Sequence, residues 1–592
     1  MKRLLIALLC IVFAFSLFCG CDLNPGGGTG KAPDGNEAEN KPDNGDDGNG
    51  NGNTEDGEED NTKPADWSQY NLDAGGFVEG KIGDFSEYEG TSAYRKVKTA
   101  EEFLQAIVDA KYHYTNVWDE STGTYTQEPA EGYTEENFKG TVHVIEIEND
   151  LNLGYYILSD AAKNTGVVSD FAPNMQKWLP YLSHSDTVLE NGISQIKVEN
   201  TSDLLIYSKN GAKLTHCGFK LTSDTNVVFR NLRFDEMWQW EDAPLTSTDK
   251  IGDYDWYGWA YFKISFCGYI WIDHCDFGKS YDGQIDYSNP VYNANGGVAF
   301  RAPYGADGGN GLHISWCNFN AGSDDEDGYI YKMMSAIEEE YKAYKEDNTK
   351  PQNYLYYNAL RDAGASFEDI LYGLAIPQKK GFLCGDDAKQ DKDDYTYNLS
   401  LKVSFAHCKF TNLEDRLPKV RGGNAVMYNC VVDSSQYYEY HSKLKSYAAS
   451  AVSAVNSGWK CALASQGIVC GSGASFYGEN CIYRGVQYLL KNNDSKATGE
   501  YVLGGYKLVN CSYQKGANDA VYTGSSSDTN AAFTNDTPTK LMTDKFSWHT
   551  QDGEQPFTVP KTELSALEEF LSGGTYGSGA GSFEFSLLKS TY

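Results

Sequence analysis

Short apolar runs recur along the chain, and each run ends in the same way. A stretch of β-branched and aromatic residues leads to a polar residue, then to a small residue, and often to an aromatic one. The copies span residues 226–234, 269–277, 311–319, 401–410, 425–430, 476–481 and 506–511. Runs of this length and composition predict β-strands. Repetition of one such unit, with loops of varying length between copies, predicts an all-β fold of the β-solenoid type.

The cysteines follow the same repeat. The chain has 14 cysteines, and three of them lie within the first 21 residues. The other eleven are odd in number and lack the C-x-x-C spacing of a metal site, so the sequence does not predict a complete disulfide framework. A buried cysteine behaves as a small apolar residue. We therefore predict that the solenoid covers at least residues 198–511 and that one group of cysteines points inward: Cys217, Cys275, Cys317, Cys408, Cys430, Cys481 and Cys511.

Helices are predicted near both ends of the solenoid. Residues 100–110 have apolar residues at helical spacing, Thr99 can cap the first turn, and Glu102 follows three residues later. This helix can cover the open N-terminal end of the stack. A second short helix is predicted at residues 564–571.

An insertion at about residues 322–378 interrupts the repeat. It begins with apolar residues at the spacing of an amphipathic helix, and a tyrosine-rich segment follows. The helix contains Ile330, Met333, Met334, Ile337, Tyr341 and Tyr344, and the second segment contains Tyr354, Tyr356, Tyr357 and Phe367. A packed side domain accounts for this pattern. The alternative is a lid or a groove wall, because the insertion ends immediately before Lys380.

The N-terminal residues predict export and anchoring. A short basic start precedes an apolar run at residues 4–18, which is shorter than a bilayer span. The Phe-Cys-Gly-Cys sequence at residues 18–21 resembles a bacterial lipoprotein cleavage site, with Cys21 as the lipidated residue. We predict a signal peptide at residues 1–20, a disordered acidic tether rich in Gly, Asn and Asp at residues 21–66, and one folded domain at residues 67–592. The mature protein is expected outside the cytoplasm, secreted or held by its lipid in a membrane at the cell surface or in the periplasm.

The charge of the chain limits its partners. The formal net charge is −34, which argues against nucleic acid as a partner. An anionic polysaccharide could bind only through local positive charge or a bound cation. No feature of the sequence calls for a partner chain, and we expect a monomer.

Four short motifs fall on or beside the predicted strands. They are W-I-D-H at residues 271–274, D-x-x-x-D from Asp282 to Asp286, K-x4-G from Lys380 to Gly385, and R-x-P-x-V-R from Arg416 to Arg421. In this order they resemble the pectate lyases of polysaccharide lyase family one, over roughly residues 94–511. The resemblance implies a right-handed parallel β-helix and cleavage of α-1,4-galacturonan (pectate, the polymer of pectin) by β-elimination.

The resemblance also implies roles for the motif residues. Asp282 and Asp286 would supply oxygen ligands to Ca²⁺, which neutralises the uronate carboxylate and makes the neighbouring C5 proton removable. Arg416 would be the base, with its charged form disfavoured by the cations around it. Lys380 and Arg421 would complete the catalytic group and hold substrate carboxylates. Asp273 and His274, in the W-I-D-H strand, are expected to be scaffold residues and not an acid–base pair.

One departure from the family leaves an alternative open. A third calcium ligand is usual on the strand before W-I-D-H, and here Phe262 or Ala260 falls near its expected position. Asp253, Asp255 or Glu241 could substitute from the preceding loop. A pectin lyase that cleaves methyl-esterified chains without calcium is therefore the alternative, although Asp282, Asp286 and Lys380 favour the pectate form.

Two other classes of protein fit the sequence less well. A non-catalytic β-helix glycan-binding lipoprotein would be favoured by the loss of Arg416, which is present. A β-helix hydrolase would need a cluster of carboxylates acting as acid and base, and the repeat strands carry only the Asp282/Asp286 pair.

Overall fold

The computed structural model describes most of the folded domain. The described residues are 70–119, 121, 124–171, 191–240, 258–289, 310–350, 352, 354–385, 398, 401–455, 466–471, 473–492, 504–525, 557–559, 562–572 and 577–592. Asp66–Tyr592 form one compact unit. The predicted signal peptide, the tether and Cys21 lie outside the described residues.

The chain winds through three sheets, each with ten strands in the described part of the chain. Sheet 1 contains, in spatial order, β1 (Tyr94–Val97), β4 (Val144–Ile147), β8 (Ser202–Tyr207), β11 (Thr225–Arg230), β14 (Tyr269–Asp273), β17 (Gly311–Ser315), β20 (Lys402–Ala406), β24 (Asn424–Tyr428), β27 (Ser475–Glu479) and β30 (Gly505–Val509). Sheet 2 contains β6 (Val168–Asp170), β7 (Ser194–Glu199), β10 (Cys217–Thr222), β13 (Phe262–Ser265), β16 (Gly283–Tyr287), β19 (Gln378–Gly385), β23 (Lys419–Arg421), β26 (Gln466–Gly471) and β29 (Tyr488–Asn492), with β22 (Leu413–Asp415) beside β19.

Sheet 3 contains β5 (Leu151–Asn152), β9 (Lys213–Thr215), β12 (Arg233–Asp235), β15 (Asp276–Phe277), β18 (Asn318–Phe319), β21 (Lys409–Thr411), β25 (Val431–Asp433), β28 (Ile482–Arg484), β31 (Cys511–Gln514) and β32 (Tyr522–Gly524). A separate hairpin is formed by β2 (Tyr114–Asp119) and β3 (Thr124–Pro129). Between β7 and β31 the pairings within the three sheets are parallel, and only the end strands β6 and β32 run antiparallel to their neighbours. The predicted right-handed parallel β-helix is confirmed.

In five coils a polar residue precedes the repeat cysteine and makes the bend between sheet 1 and sheet 3. These residues adopt left-handed backbone angles, with φ of 48° at His274, 54° at His407 and 51° at Asn429. Asparagine tolerates this region better than most residues, and Asn480 and Asn510 occupy the same position in later coils. The Asn480 amide donates to Asn429 at 2.6 Å, and the Asn510 amide donates to Asn480 at 3.0 Å. The polar residue of the repeat thus marks a bend, and side-chain hydrogen bonds between the asparagines of neighbouring coils stabilise that bend.

The interior is filled by columns of like side chains. Phe234, Phe277, Phe319 and Phe410 stack on successive coils, with ring centroids 5.2, 5.0 and 4.5 Å apart. Each coil therefore covers the apolar surface that its neighbour leaves open. The seven repeat cysteines are all buried, as predicted, and the ten cysteines of the described residues carry free thiols.

The helices lie outside this stack. They are α1 (Ala100–Ala110), α2 (Asp160–Lys163), α3 (Tyr329–Glu346), α4 (Leu355–Asp362), α5 (Phe367–Ile370), α6 (Ser435–Val455) and α7 (Leu567–Ser572). The predicted helices α1 and α7 are confirmed, and Thr99 caps α1 by accepting from the Glu102 amide at 3.2 Å. The insertion begins with the predicted amphipathic helix, α3. Helix α6 was not predicted, and its Tyr440 packs 5.1 Å from Tyr372 of the insertion.

Within the part of the chain that the structure describes, no helix combines the length and apolarity needed to cross a membrane.

Candidate active site

The outer face of sheet 2 brings the sequence-predicted site residues together. Strand β16 pairs with β19, placing Gly283 opposite Lys380, and β19 pairs with β22, placing Lys380 opposite Asp415. Successive coils therefore align residues that are 97 and 35 positions apart in the chain. Asp282 immediately precedes β16 and Arg416 immediately follows β22, and the register places the start of β16 and the end of β22 beside the same residue of β19, Lys380.

Asp282 and Lys380 form a short ion pair. The Lys380 Nζ lies 2.6 Å from Asp282 Oδ1, and the two side chains are 17% and 16% exposed. A charge-assisted hydrogen bond of this length in a half-buried setting holds both groups in place. The contact joins two of the four motifs.

Asp286 and Arg416 form a second, looser contact. The Arg416 NH1 lies 3.5 Å from Asp286 Oδ1, with the side chains 12% and 21% exposed. Burial raises the pKa of the Asp286 carboxyl, although the positive charge of Arg416 opposes the shift. The Asp286 carboxylate therefore lacks a partner close enough to offset its desolvation, which is a setting that favours binding of a further cation.

Arg416 is held in an unusual backbone conformation. Its φ is 66°, in the left-handed region that costs a non-glycine residue roughly 1–2 kcal/mol. The Asp415 carboxylate accepts from the Arg416 backbone amide at 2.7 Å and supports this geometry. The Arg416 Nε is buried and donates no hydrogen bond to the described residues. An unsatisfied buried donor beside a groove is typical of a functional position.

Arg421 lies on the same face of sheet 2, one strand beyond β19. It pairs with Gly385 across β19 and β23. Gly385 has a φ of 82°, and a Cβ atom there would overlap the carbonyl oxygen of Arg421. The glycine of the K-x4-G motif is thus required by the close approach of β23.

The W-I-D-H strand lies inside the molecule. Asp273 and His274 are fully buried, and Asp273 accepts from Arg230 Nε at 2.7 Å and from the Ser315 hydroxyl at 2.6 Å. The His274 Nδ1 is 2.7 Å from the same carboxylate. These contacts are remote from the outer face of sheet 2, in agreement with a scaffold role.

The structure shows which residue of β13 lies beside Asp286 on the outer face of sheet 2. Phe262 and Ala260, the predicted neighbours of that position, are both fully buried in the core. Lys263, one of the outward residues of β13, pairs directly with Asp286. Inward and outward positions alternate along a strand, so Lys263 faces outward while Phe262 and Ile264 face the core. Asp253, Asp255 and Glu241, the possible substitutes, lie outside the described residues.

The two carboxylates suit a hard cation only in part. Calcium prefers about six to eight oxygen ligands, and Asp282 and Asp286 offer oxygens on one side of the groove. In the described ranges, no group of three or more His, Cys, Asp or Glu side chains is arranged to hold a metal ion. The pair therefore fits a calcium ion whose remaining ligands come from water and from a bound anion, and it does not form a complete protein cage.

Two supporting residues were missed by the sequence analysis. The fully buried Gln378 amide donates to the Asp282 carbonyl at 2.6 Å and to the Lys380 carbonyl at 2.9 Å, which locks the two strands together. Lys279 donates to the carbonyls of Leu374 and Ala375 and so anchors the end of the insertion beneath the groove. Burial lowers the pKa of Lys279 to about 7. A lone buried Gln or Lys has no periodic signal that could have pointed to it.

Comparison with known proteins identifies relatives. No family model matches the chain. Pectate lyase B of Paenibacillus amylolyticus is 27% identical over 368 residues, which cover 61% of this chain and 80% of that protein. A pectate trisaccharide-lyase of Thermotoga maritima is 36% identical over 100 residues, which cover 16% of this chain and 24% of that protein.

A solved structure extends the likeness to the fold. The pectate lyase of Paenibacillus sp. 0602 superposes with a TM-score of 0.67 at 26% identity, covering 88% of this chain and 100% of that one. The resemblance to pectate lyases, predicted from the four motifs, is therefore confirmed. The prediction of an enzyme related to polysaccharide lyases is confirmed with it.

Proposed function

We propose that this relative of pectate lyases is itself a pectate lyase, which cleaves α-1,4-galacturonan by β-elimination. The observation that carries the proposal is Arg416, a half-buried guanidinium held beside Asp286 with a buried Nε that has no partner in the described residues. Its groove also contains Lys380 and Arg421 on neighbouring strands. The likeness to pectate lyase B over most of that protein's length supports the same activity.

The reaction breaks two bonds and forms one double bond. A base takes the proton from C5, the electrons of the C5–H bond form the C4–C5 double bond, and the C4–O glycosidic bond breaks. The leaving oxygen takes a proton from solvent. We assign Arg416 as the base, because it is the first arginine of the R-x-P-x-V-R motif, lies 3.5 Å from Asp286 and has a fixed backbone. Asp415 holds that backbone and Gln378 holds the adjoining strands, so the base stays in place as the proton moves.

Lys380 and Arg421 are assigned to the substrate carboxylates. Lys380 already binds one carboxylate, that of Asp282, at 2.6 Å. Arg421 presents a planar guanidinium, which suits bidentate contact with a uronate. Both residues would orient the sugar whose C5 proton faces Arg416.

Asp282 and Asp286 would hold calcium in this proposal. The bound ion supplies the charge that neutralises the uronate carboxylate and acidifies the C5 proton. The raised pKa of Asp286 supports the assignment, since a cation in the groove would stabilise the charged carboxylate that burial disfavours.

The test is a product assay. The purified protein is incubated with polygalacturonate, and absorbance from the conjugated double bond at the new non-reducing end is followed with added calcium and with excess chelator. We expect absorbance to rise with calcium and to stop with chelator. New reducing ends without ultraviolet absorbance would indicate a hydrolase, and absence of both would favour a non-catalytic glycan-binding protein.

A second candidate has one observation in its favour. Lys263 stands opposite Asp286, where a third calcium ligand would be expected. A cation fixed in the protein suits a lyase that acts on methyl-esterified pectin without calcium. Faster cleavage of methyl-esterified chains than of polygalacturonate, with no effect of chelator, would establish this alternative.

We propose further that the protein acts outside the cytoplasm as a lipid-anchored monomer. The proposal rests on the lipoprotein-like sequence ending at Cys21. Detergent partitioning of cell fractions tests it. The wild-type protein should partition with membranes in processed form, and Cys21→Ala should either appear in the soluble fraction or keep its full length. Equal partitioning of both proteins at the same processed length would contradict the anchor.

A further inference from the structure

Three lysines form a row on the outer face of sheet 2. Lys197 of β7 pairs with Lys220 of β10, and Lys220 pairs with Lys263 of β13. The residues on either side of each lysine along its strand are buried, so the three side chains project outward. The next position in the row, on β16, is Asp286 of the candidate active site. We call Lys197, Lys220 and Lys263 the lysine row.

Repulsion among the three positive charges lowers the stability of the folded protein unless an anion binds the lysine row. Neighbouring strands lie about 4.8 Å apart, and like charges directly opposite one another destabilise a sheet. The chain has 83 acidic against 49 basic residues, so partners for three lysines are abundant. A lysine on sheet 3, Lys213, has one: its Nζ lies 3.0 Å from Glu236.

The lysine row has no such neutralising partner in the described ranges. Among those residues, no carboxylate oxygen lies within 4.0 Å of the Nζ of any of the three lysines. The Lys263 Nζ lies 5.1 Å from the centroid of the Phe171 ring, a contact that leaves its charge in place. The adjacent outward column contains Glu199, Thr222 and Ser265 in register, so its one carboxylate stands at the far end from the active site.

We infer that the lysine row binds successive carboxylates of a uronate chain that extends from the active site across the N-terminal coils. The inference rests on the proposed function for the nature of the ligand. The row continues the line of Asp286, and from there to Lys197 is three strand steps, or about 14 Å. A polyuronate carries one carboxylate on every sugar. Its extended chain is therefore a line of negative charges that can lie along the straight row of lysine cations.

Two consequences follow from the position of the row. Lys197 and Lys220 are far from the bond that is cleaved, so they affect binding of the chain and not the chemical step. Their contribution should also weaken as salt increases, because the contacts are between partly exposed charges. The enzyme should therefore favour long anionic chains over short ones.

The test measures binding without turnover. Affinity electrophoresis is run in gels containing polygalacturonate, with dextran gels as reference, and every variant carries Arg416→Lys to prevent cleavage. We expect Lys197→Gln/Lys220→Gln to weaken the affinity for polygalacturonate about five-fold, from two contacts between partly exposed charges. Lys197→Arg/Lys220→Arg should keep the affinity. Lys409→Gln, a charge removed from a half-buried strand position on sheet 3, should leave it unchanged.

The outcomes separate this inference from the proposed function. Equal retardation of the glutamine double variant and its parent overturns the lysine row, whether or not the wild-type protein is a lyase. If polygalacturonate slows the parent more than the glutamine double variant, the lysine row is supported. If the wild-type protein also makes no unsaturated product, only the lyase proposal is overturned. In the active background, the double variant should raise KM for polygalacturonate more than for trigalacturonate, and a fall in kcat at constant KM would contradict the inference.

Discussion

Lys263 lies directly opposite Asp286, so a fixed positive charge stands beside the carboxylate pair that is proposed to bind calcium. Asp286 thus has one cation on the preceding coil and another, Arg416, at 3.5 Å. Neither makes a close ion pair with it, and the pKa of Asp286 remains raised by burial. The groove therefore combines an excess of positive charge with one carboxylate, Asp286, that has no close ion pair.

The first prediction concerns the base. Arg416→Lys should lower kcat by about 10²–10⁴-fold, the usual range for loss of a general base, because lysine keeps the charge but not the reach or planar shape of the guanidinium. The measurement is the rate of ultraviolet-absorbing product, with a circular dichroism spectrum to show that the fold is intact. Near-normal turnover by a folded variant would remove Arg416 from the role of base.

The second prediction concerns calcium. Because Asp282 and Asp286 leave most ligand positions to water and substrate, the metal should bind weakly alone and more tightly with oligogalacturonate present. Linkage requires that calcium tighten the oligosaccharide by the same factor. Calorimetric titration of calcium into Arg416→Lys, with and without the oligosaccharide, measures the coupling. The same calcium affinity in both titrations would contradict it.

The third prediction concerns the cost of the charge on Asp286. A raised folded-state pKa means that the folded protein binds this proton more tightly than the unfolded chain does, so the charged carboxylate reduces stability as pH rises above the ordinary value of 3.8. Asp286→Asn should therefore raise the free energy of unfolding at neutral pH while lowering activity. Urea denaturation should show the gain at pH 7 and lose it near pH 3. A variant less stable than wild type at pH 7 would show that the Arg416 contact outweighs desolvation.

The fourth prediction concerns Gly385. Alanine there needs a φ of 82° and places Cβ against the carbonyl oxygen of Arg421. Gly80 is a matched control, since its φ is 65° and a Cβ there meets nothing within 4 Å. Gly385→Ala should cost about 1–3 kcal/mol more than Gly80→Ala in urea denaturation, and it should weaken substrate binding because Arg421 is displaced. Equal losses of unfolding free energy in the two variants would mean that β23 can move away from the new Cβ atom. Gly385 would then be required only for its positive φ.

The sequence predicted the parts of the molecule that repeat. The strand unit, the buried cysteines and the end helices carry a pattern that packing imposes on every coil. The contacts of Asp282 with Lys380 and of Asp286 with Arg416 agree with the expected meeting of the motifs in one groove. The expectation that the motifs meet depended on the resemblance to a family of proteins and not on the repeating pattern of apolar and polar residues.

The parts that the sequence did not reveal depend on register between coils. Lys197, Lys220 and Lys263 are separated by 23 and 43 residues, and loops of such unequal length hide their alignment. The register between β13 and β16, which places Lys263 opposite Asp286, is hidden in the same way. Helix α6 was missed because most of its apolar residues are alanines and tyrosines without a clear stripe. Its packing depends on contacts such as that of Tyr440 with Tyr372.

The insertion shows how this architecture tolerates growth. Helices α3 to α5 stand between β18 and β19, yet β18 still pairs with β21 and β16 still pairs with β19, as if the two coils were joined by a short turn. Closing a longer loop adds only a logarithmic entropic penalty. A β-helix can therefore gain structure beside its active site when a single turn between coils lengthens. The evolutionary change stays within that turn, and the spacing of the catalytic residues on the strands is inherited unchanged.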